Sequence, residues 1–159
     1  MKQVELAKWL KIVITFAAFI GALLCLLIAP ALGKDAVLMN PELHYMFWPC
    51  LVFIWITAIP FYTALYKSWL ICEEISKDNS FCIENAKRLK LIGKLALLEC
   101  ILYLIAMVVL FILNLLHPSV MLFILFIIFV GISISIASAA LSHLTENACA
   151  LKNENDLTI

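Results

Sequence analysis

The stretch from Val120 to Leu141 reads VMLFILFIIFVGISISIASAAL and carries no charged side chain. As a helix rising about 1.5 Å per residue, it is long enough to cross about 30 Å of hydrocarbon. Its apolar residues do not alternate with period two, which removes a barrel strand. Backbone groups in lipid must bond within their own segment, which leaves a helix. Working outward, the chain holds three more such runs: Ile12 to Leu32, Phe47 to Leu65 and Leu95 to Leu116. The 159 residues are 65% hydrophobic and 14% charged, against about 25% charge in an average soluble domain. Mean hydropathy is +1.09. The expected fold is all-α: a polytopic membrane protein with four transmembrane helices in a bundle, forming a single domain over residues 1–159.

Net charge is zero, so orientation rests on where the charges fall. Lys2, Lys8 and Lys11 precede the first run. Lys67, Lys77, Lys87, Arg88, Lys90 and Lys94 lie between the second and third, and Lys152 follows the fourth. The excess of Lys and Arg on the cytoplasmic side then predicts a plasma-membrane protein with both termini, the loop 66–94 and the tail 142–159 in the cytoplasm. Gly33 to Met46 and the turn His117-Pro118-Ser119 fall outside. The basic start followed by Ala29-Pro30-Ala31 imitates a secretory signal, but its apolar run exceeds the about 7 to 15 residues of a signal core. A retained anchor is expected.

The six cysteines contain no C-x-x-C pair and sit mostly in the spans or on the reducing side, so structural disulfides are not expected. Cys72, Cys82, His143 and Cys149 have too irregular a spacing for a metal site, and neither metal nor cofactor is expected. No Ser/His/Asp set, nucleotide loop or H-E-x-x-H helix appears, so an enzyme is not expected. The basic residues lie against the membrane and lack a nucleic-acid reading motif.

Span 2 contains Pro60, which predicts a kink or a local widening. Spans 2, 3 and 4 are expected to continue as helices into the cytoplasm. Asp78-Asn79-Ser80 marks the turn after span 2, with Ser80 as the cap of the next helix. In that helix Glu84 can pair with Arg88 at i,i+4. Glu84, Lys87, Arg88, Lys90 and Lys94 share one arc, while Cys82, Ala86, Leu89, Gly93 and Ala96 share the other. The arc suits either anionic lipid or a docked protein.

Glu99 is the one acid inside a span. It is expected about one turn inside the bilayer, where an acid is a functional candidate by default or simply reaches the headgroups. On the fourth span Gly131, Ser135, Ser138, Ser142, Thr145 and Cys149 repeat at spacings of three and four, the seam that lets a second helix approach closely. Ser135 and Ser138 would otherwise line a polar pathway with Glu99. The helix is expected to run to about Lys152 with a second stripe of Leu141, Leu144, Ala148 and Leu151. It ends in Glu154-Asn155-Asp156-Leu157-Thr158-Ile159, which can add a strand to a sheet edge or fill a groove.

Phe81, Glu84-Asn85, Lys87-Arg88-Leu89-Lys90 and Ile92-Gly93, together with the terminal Leu151-Lys152-Asn153-Glu154-Asn155-Asp156-Leu157-Thr158-Ile159, give a pattern that resembles the bacterial membrane family called domain-of-unknown-function 2975. Cys82 and Asn153 depart from the usual serine and frequent glutamate. The resemblance implies a small four-span protein, commonly encoded beside a short helix-turn-helix regulator, with no established catalytic activity. The expected function is therefore regulatory or signalling. Phe81, Glu84, Asn85, Arg88 and Leu89 would form, with the terminal residues Glu154 to Ile159, a docking face for that soluble regulator. The alternative is a small channel or transporter using Glu99 and the serine face. The lipid bilayer is the other expected partner, and a homo-oligomer stays open.

Overall fold

A computed structural model describes residues 3–156. α1 (Gln3–Leu23), a π-helical segment (Leu24–Ile28) and α2 (Ala29–Met39) form the first rod. A 3₁₀ turn (Pro41–Leu43) leads into α3 (His44–Ser76), which is followed by α4 (Ile83–Ile112) and α5 (Pro118–Asp156). No strand occurs among the described residues. All four rods are long and apolar enough to cross a membrane, as the four sequence runs predict. The protein is a multi-pass membrane protein.

The expected loop from Gly33 to Met46 is mostly helix. No strong breaker follows Gly33 until Pro41, so the first rod continues to Met39. It stops where Pro41 drives Asn40 out of the α region, to φ −137° and ψ 86°. The widening expected at Pro60 occurs ahead of Pro30 instead, and α3 runs unbroken through Pro49 and Pro60. A proline ring collides with the carbonyl four residues back, and one wide turn over Leu24–Ile28 relieves it.

Two helices end in Schellman motifs built on non-glycine residues. After α3, Asp78 takes φ 57°, and the Asp78 and Asn79 amides donate to Ile75 O and Glu74 O. After α4, Asn114 takes φ 55°, and the Asn114 and Leu115 amides donate to Phe111 O and Leu110 O. The second turn thus begins at Leu113, four residues before the predicted His117-Pro118-Ser119. Pro118 opens α5, where its missing N–H costs nothing, and the His117 side chain accepts the Ser119 amide at 3.3 Å. Ser80 is not the cap of α4. Cys82 holds that position without a side-chain bond, and the Ser80 hydroxyl donates to Gln3 Oε1 at 3.0 Å. α5 continues past Lys152 to Asp156 because nothing there interrupts a helix, so residues 154–156 are helical and unsuited to strand addition. Leu157, Thr158 and Ile159 lie outside the described residues.

The rods run antiparallel in chain order, each beside the next, and do not close into the expected four-helix bundle. Among the described residues, no Cα of the first rod comes within 8 Å of α4 or α5, and none of α3 within 8 Å of α5. The accessible surface is 10950 Å². A compact soluble chain of 17.9 kDa would expose about 8,000 Å². Few residues are buried, and most of these are small or polar: Ala7, Cys72, Cys82, Ala86, Cys100, Thr57, Asn85, Ser138, Ser142 and Thr145, with Leu51, Ile92 and Ile124 among them, while most Phe, Leu and Ile side chains face outward. Lipid supplies no hydrophobic drive between helices, so close backbone approach and hydrogen bonds must hold them together.

Candidate functional site

At the basic end, small polar side chains tie all four rods together. Asn85 is 1% exposed. Its amide donates to Ser80 O at 3.1 Å, and its Oδ1 accepts from Arg88 Nη1 at 2.9 Å. The same Arg88 nitrogen donates to Leu70 O on α3 at 3.1 Å. Ser142 on α5 donates to Ala86 O on α4 at 2.8 Å, and Ser80 reaches Gln3 on α1. The Lys11 ammonium lies 4.9 Å from the centre of the Trp69 ring, a contact between α1 and α3.

This arrangement divides the residues expected on one docking face. Phe81 is 58% exposed and Glu84 is exposed, but Asn85 points inward and Arg88 is half-buried and occupied. Leu89 is also half-buried. The pairing of Glu84 with Arg88 does not form: the guanidinium turns toward the carbonyl of α3, where a buried acceptor has more to gain than an exposed carboxylate. Lys77 instead forms an ion pair with Glu74, at 3.2 Å. Past the apolar run of α3, the Asn79 amide and the Lys77 ammonium hold the Glu74 carboxyl below the usual carboxylate range.

The charged arc of α4 faces out, with Lys87, Lys90 and Lys94 exposed; of the apolar arc Cys82, Ala86 and Gly93 are buried and Leu89 and Ala96 half-buried, and Ile92, outside that arc, is buried as well. The seam of α5 lies against α4. A Cβ on Gly93 would stand 3.2 Å from Ser135 O, and one on Gly131 would stand 2.5 Å from Cys100 Sγ and 3.4 Å from Ala96 O. Ser138 is buried in the same seam, so Ser135 and Ser138 belong to helix packing.

Ser142 is level with Ala86, and α4 begins at Ile83, so α5 runs on past the start of α4; Thr145 is still buried there, and Ala148 and Cys149 are half-buried. Leu144 and Leu151 are 64% and 66% exposed there. Glu154 is exposed on the same extension. Cys72, Cys82, His143 and Cys149 do not assemble: no three His, Cys, Asp or Glu side chains converge among the described residues.

Glu99 lies deeper than the α4 run alone suggests. Ala96 and Cys100, which bracket it, pack on Gly131 at the centre of the fourth run. Tyr103, one turn further on, stacks edge-on against Phe53 at 5.4 Å and faces Thr57 at the centre of the second run. Glu99 is therefore near mid-depth and not one turn from the edge. The shift arises because α4 enters the apolar layer before its own run begins, with Lys90 and Lys94 exposed and long enough to reach back to the surface. Glu99 Oε2 is buried and accepts no hydrogen bond.

Sequence reasoning missed one further contact. The Ala29 amide donates to Leu24 O across the wide turn, and residue 30 has no N–H, so Cys25 O loses its helical donors. The Trp55 indole of α3 supplies one at 3.3 Å. A proline five residues after Cys25 was the available signal.

A family model described as protein of unknown function DUF2975 matches residues 31–159. The chain belongs to the DUF2975 family. It is 29% identical over 153 residues to the "Uncharacterized membrane protein YoaS" of Bacillus subtilis (strain 168), covering 95% of this chain and 96% of that one. No solved structure matches the chain. The description of that relative as a membrane protein agrees with the four spanning rods of this chain.

Proposed function

We propose that this DUF2975 protein is a non-enzymatic membrane regulator that docks a soluble protein on the C-terminal extension of α5, with its basic end in the cytoplasm. The observation that carries the reading is the exposure of Leu144 and Leu151 on the part of α5 that runs past the start of α4. An apolar stripe i, i+7 on such a helix suits a groove in a partner. The exposed Phe81 and Glu84 beside the start of α4 add a second contact. Arg88 and Asn85 contribute indirectly, by fixing where α4 begins. The excess of Lys and Arg at this end supports the orientation. The partner class is the small helix-turn-helix regulator that the family resemblance implies as an encoded neighbour.

The intact protein, purified from its native membrane, is expected to retain that regulator. The double variant Leu144→Asp, Leu151→Asp is expected to release it while remaining folded in the membrane. A regulator that never co-purifies, or that binds the double variant equally well, refutes the reading.

A further inference from the structure

We propose that Glu99 is a proton-binding carboxyl inside the membrane, on α4 one turn before Tyr103, which packs against Phe53 of α3. This is independent of the docking reading. The four runs 12–32, 47–65, 95–116 and 120–141 contain one formally charged residue type, and it is Glu99 alone. No Lys, Arg or His occurs within any of these runs, and Lys94, five residues before Glu99 and about 140° around α4 from it, is exposed, so no basic counter-ion sits beside the carboxyl.

Of the hydroxyls at this level, Thr57 donates to Ile54 O at 3.0 Å and Tyr103 faces Thr57, and neither donates to Glu99 Oε2. The titratable groups around Glu99 are Cys100 and Tyr103 on α4, with Cys25 of the first rod acting on Tyr103. α3 adds Cys50 and Tyr62 along its run, and α5 adds none. Glu99 Oε2 is thus shut off from water and from every protein donor.

Oε2 has neither water nor donor to stabilise a charge, the rest of the half-buried side chain lies at a depth where the solvent is lipid, and a bound cation is what removes the charge. A proton is the cation that needs no further ligands. A metal ion would need several more oxygens than the surroundings provide. The open row of helices gives small apolar molecules a way to the site from the lipid.

Hydrophobic carbodiimides test this directly. The acid passes its proton to a carbodiimide nitrogen while its oxygen attacks the central carbon. The acyl group then migrates from oxygen to nitrogen, leaving a stable N-acylurea with no leaving group and no redox partner. In protein reconstituted into phosphatidylcholine vesicles, dicyclohexylcarbodiimide is expected to add one adduct, mapped to Glu99 by mass spectrometry. Glu99→Gln is expected to abolish that adduct and Glu99→Asp to retain it. A water-soluble carbodiimide is expected to leave Glu99 unmodified. In the unaltered protein, labelling is expected to fall as the buffer is made alkaline, a readout that needs no variant. Absence of the adduct at every pH, equal modification by the water-soluble reagent, or an adduct that survives Glu99→Gln overturns the proposal. Protection by sodium relative to potassium also overturns it, by assigning the cation as a metal ion.

Discussion

The first rod and α3 meet differently from α4 and α5, although both pairs are antiparallel and both lie in lipid. On the first contact, large side chains cover glycines: Phe61 and Tyr62 lie over Gly21, and Phe47 lies over Gly33. The hydroxyl of Tyr62 donates to Ala18 O at 2.8 Å, and the indole of Trp55 to Cys25 O. On the second, glycine and serine bring two backbones together, with Gly93 against Ser135 O and Gly131 against Cys100. One contact depends on polar tips of aromatic rings reaching carbonyls, the other on the absence of side-chain bulk. The same lack of hydrophobic drive between helices has two solutions in one chain.

Substitutions at the two contacts should separate these solutions. The largest effect is expected for Gly93→Leu, because the new side chain meets the Ser135 carbonyl, which is backbone and cannot swing away. Overpacking of this kind costs about 3 kcal/mol, and denaturant unfolding in detergent would report it. If Gly93→Leu is tolerated, α4 and α5 are not held by close backbone approach. Trp55→Phe is expected to cost about 1.5 kcal/mol, since it removes the donor that replaces the helical ones of Cys25 O. Tyr62→Phe and Ser142→Ala should each cost about 0.6 kcal/mol, because Ala18 O and Ala86 O lie within regular helix and keep their helical donors. Double-mutant cycles within each contact would measure these smaller values. A Trp55→Phe cost no greater than that of Tyr62→Phe would mean that the wide turn satisfies Cys25 O some other way.

Much of this architecture is legible in the sequence, because length and hydropathy alone select a spanning helix. The four runs, the arcs of α4 and the small-residue seam all follow from periods that local chemistry sets. The placement of Glu99 is not legible, since depth depends on how α4 slides against α3 and α5. Asn85 reads as exposed in a polar loop, yet its two bonds require Ser80 and Arg88 to be folded around it. The long Gly33 to Met46 loop shrank for a local reason: one proline at position 41 stops a helix more effectively than one glycine at 33. Closure of the row was not legible either, because a seam on one face of α5 says which neighbour it has and not what its other faces touch.

The length of α5 sets a height. Its 39 residues extend about 58 Å at 1.5 Å each, while the hydrocarbon layer takes about 30 Å of that and starts near its first turn. The last three or four turns therefore stand clear of the phospholipid headgroups as a rigid post. A molecule held at Leu151 is kept at a fixed standoff from the membrane surface, beyond the Debye length of about 8 Å at physiological salt. Surface charge on the lipids would then have little say in what binds there.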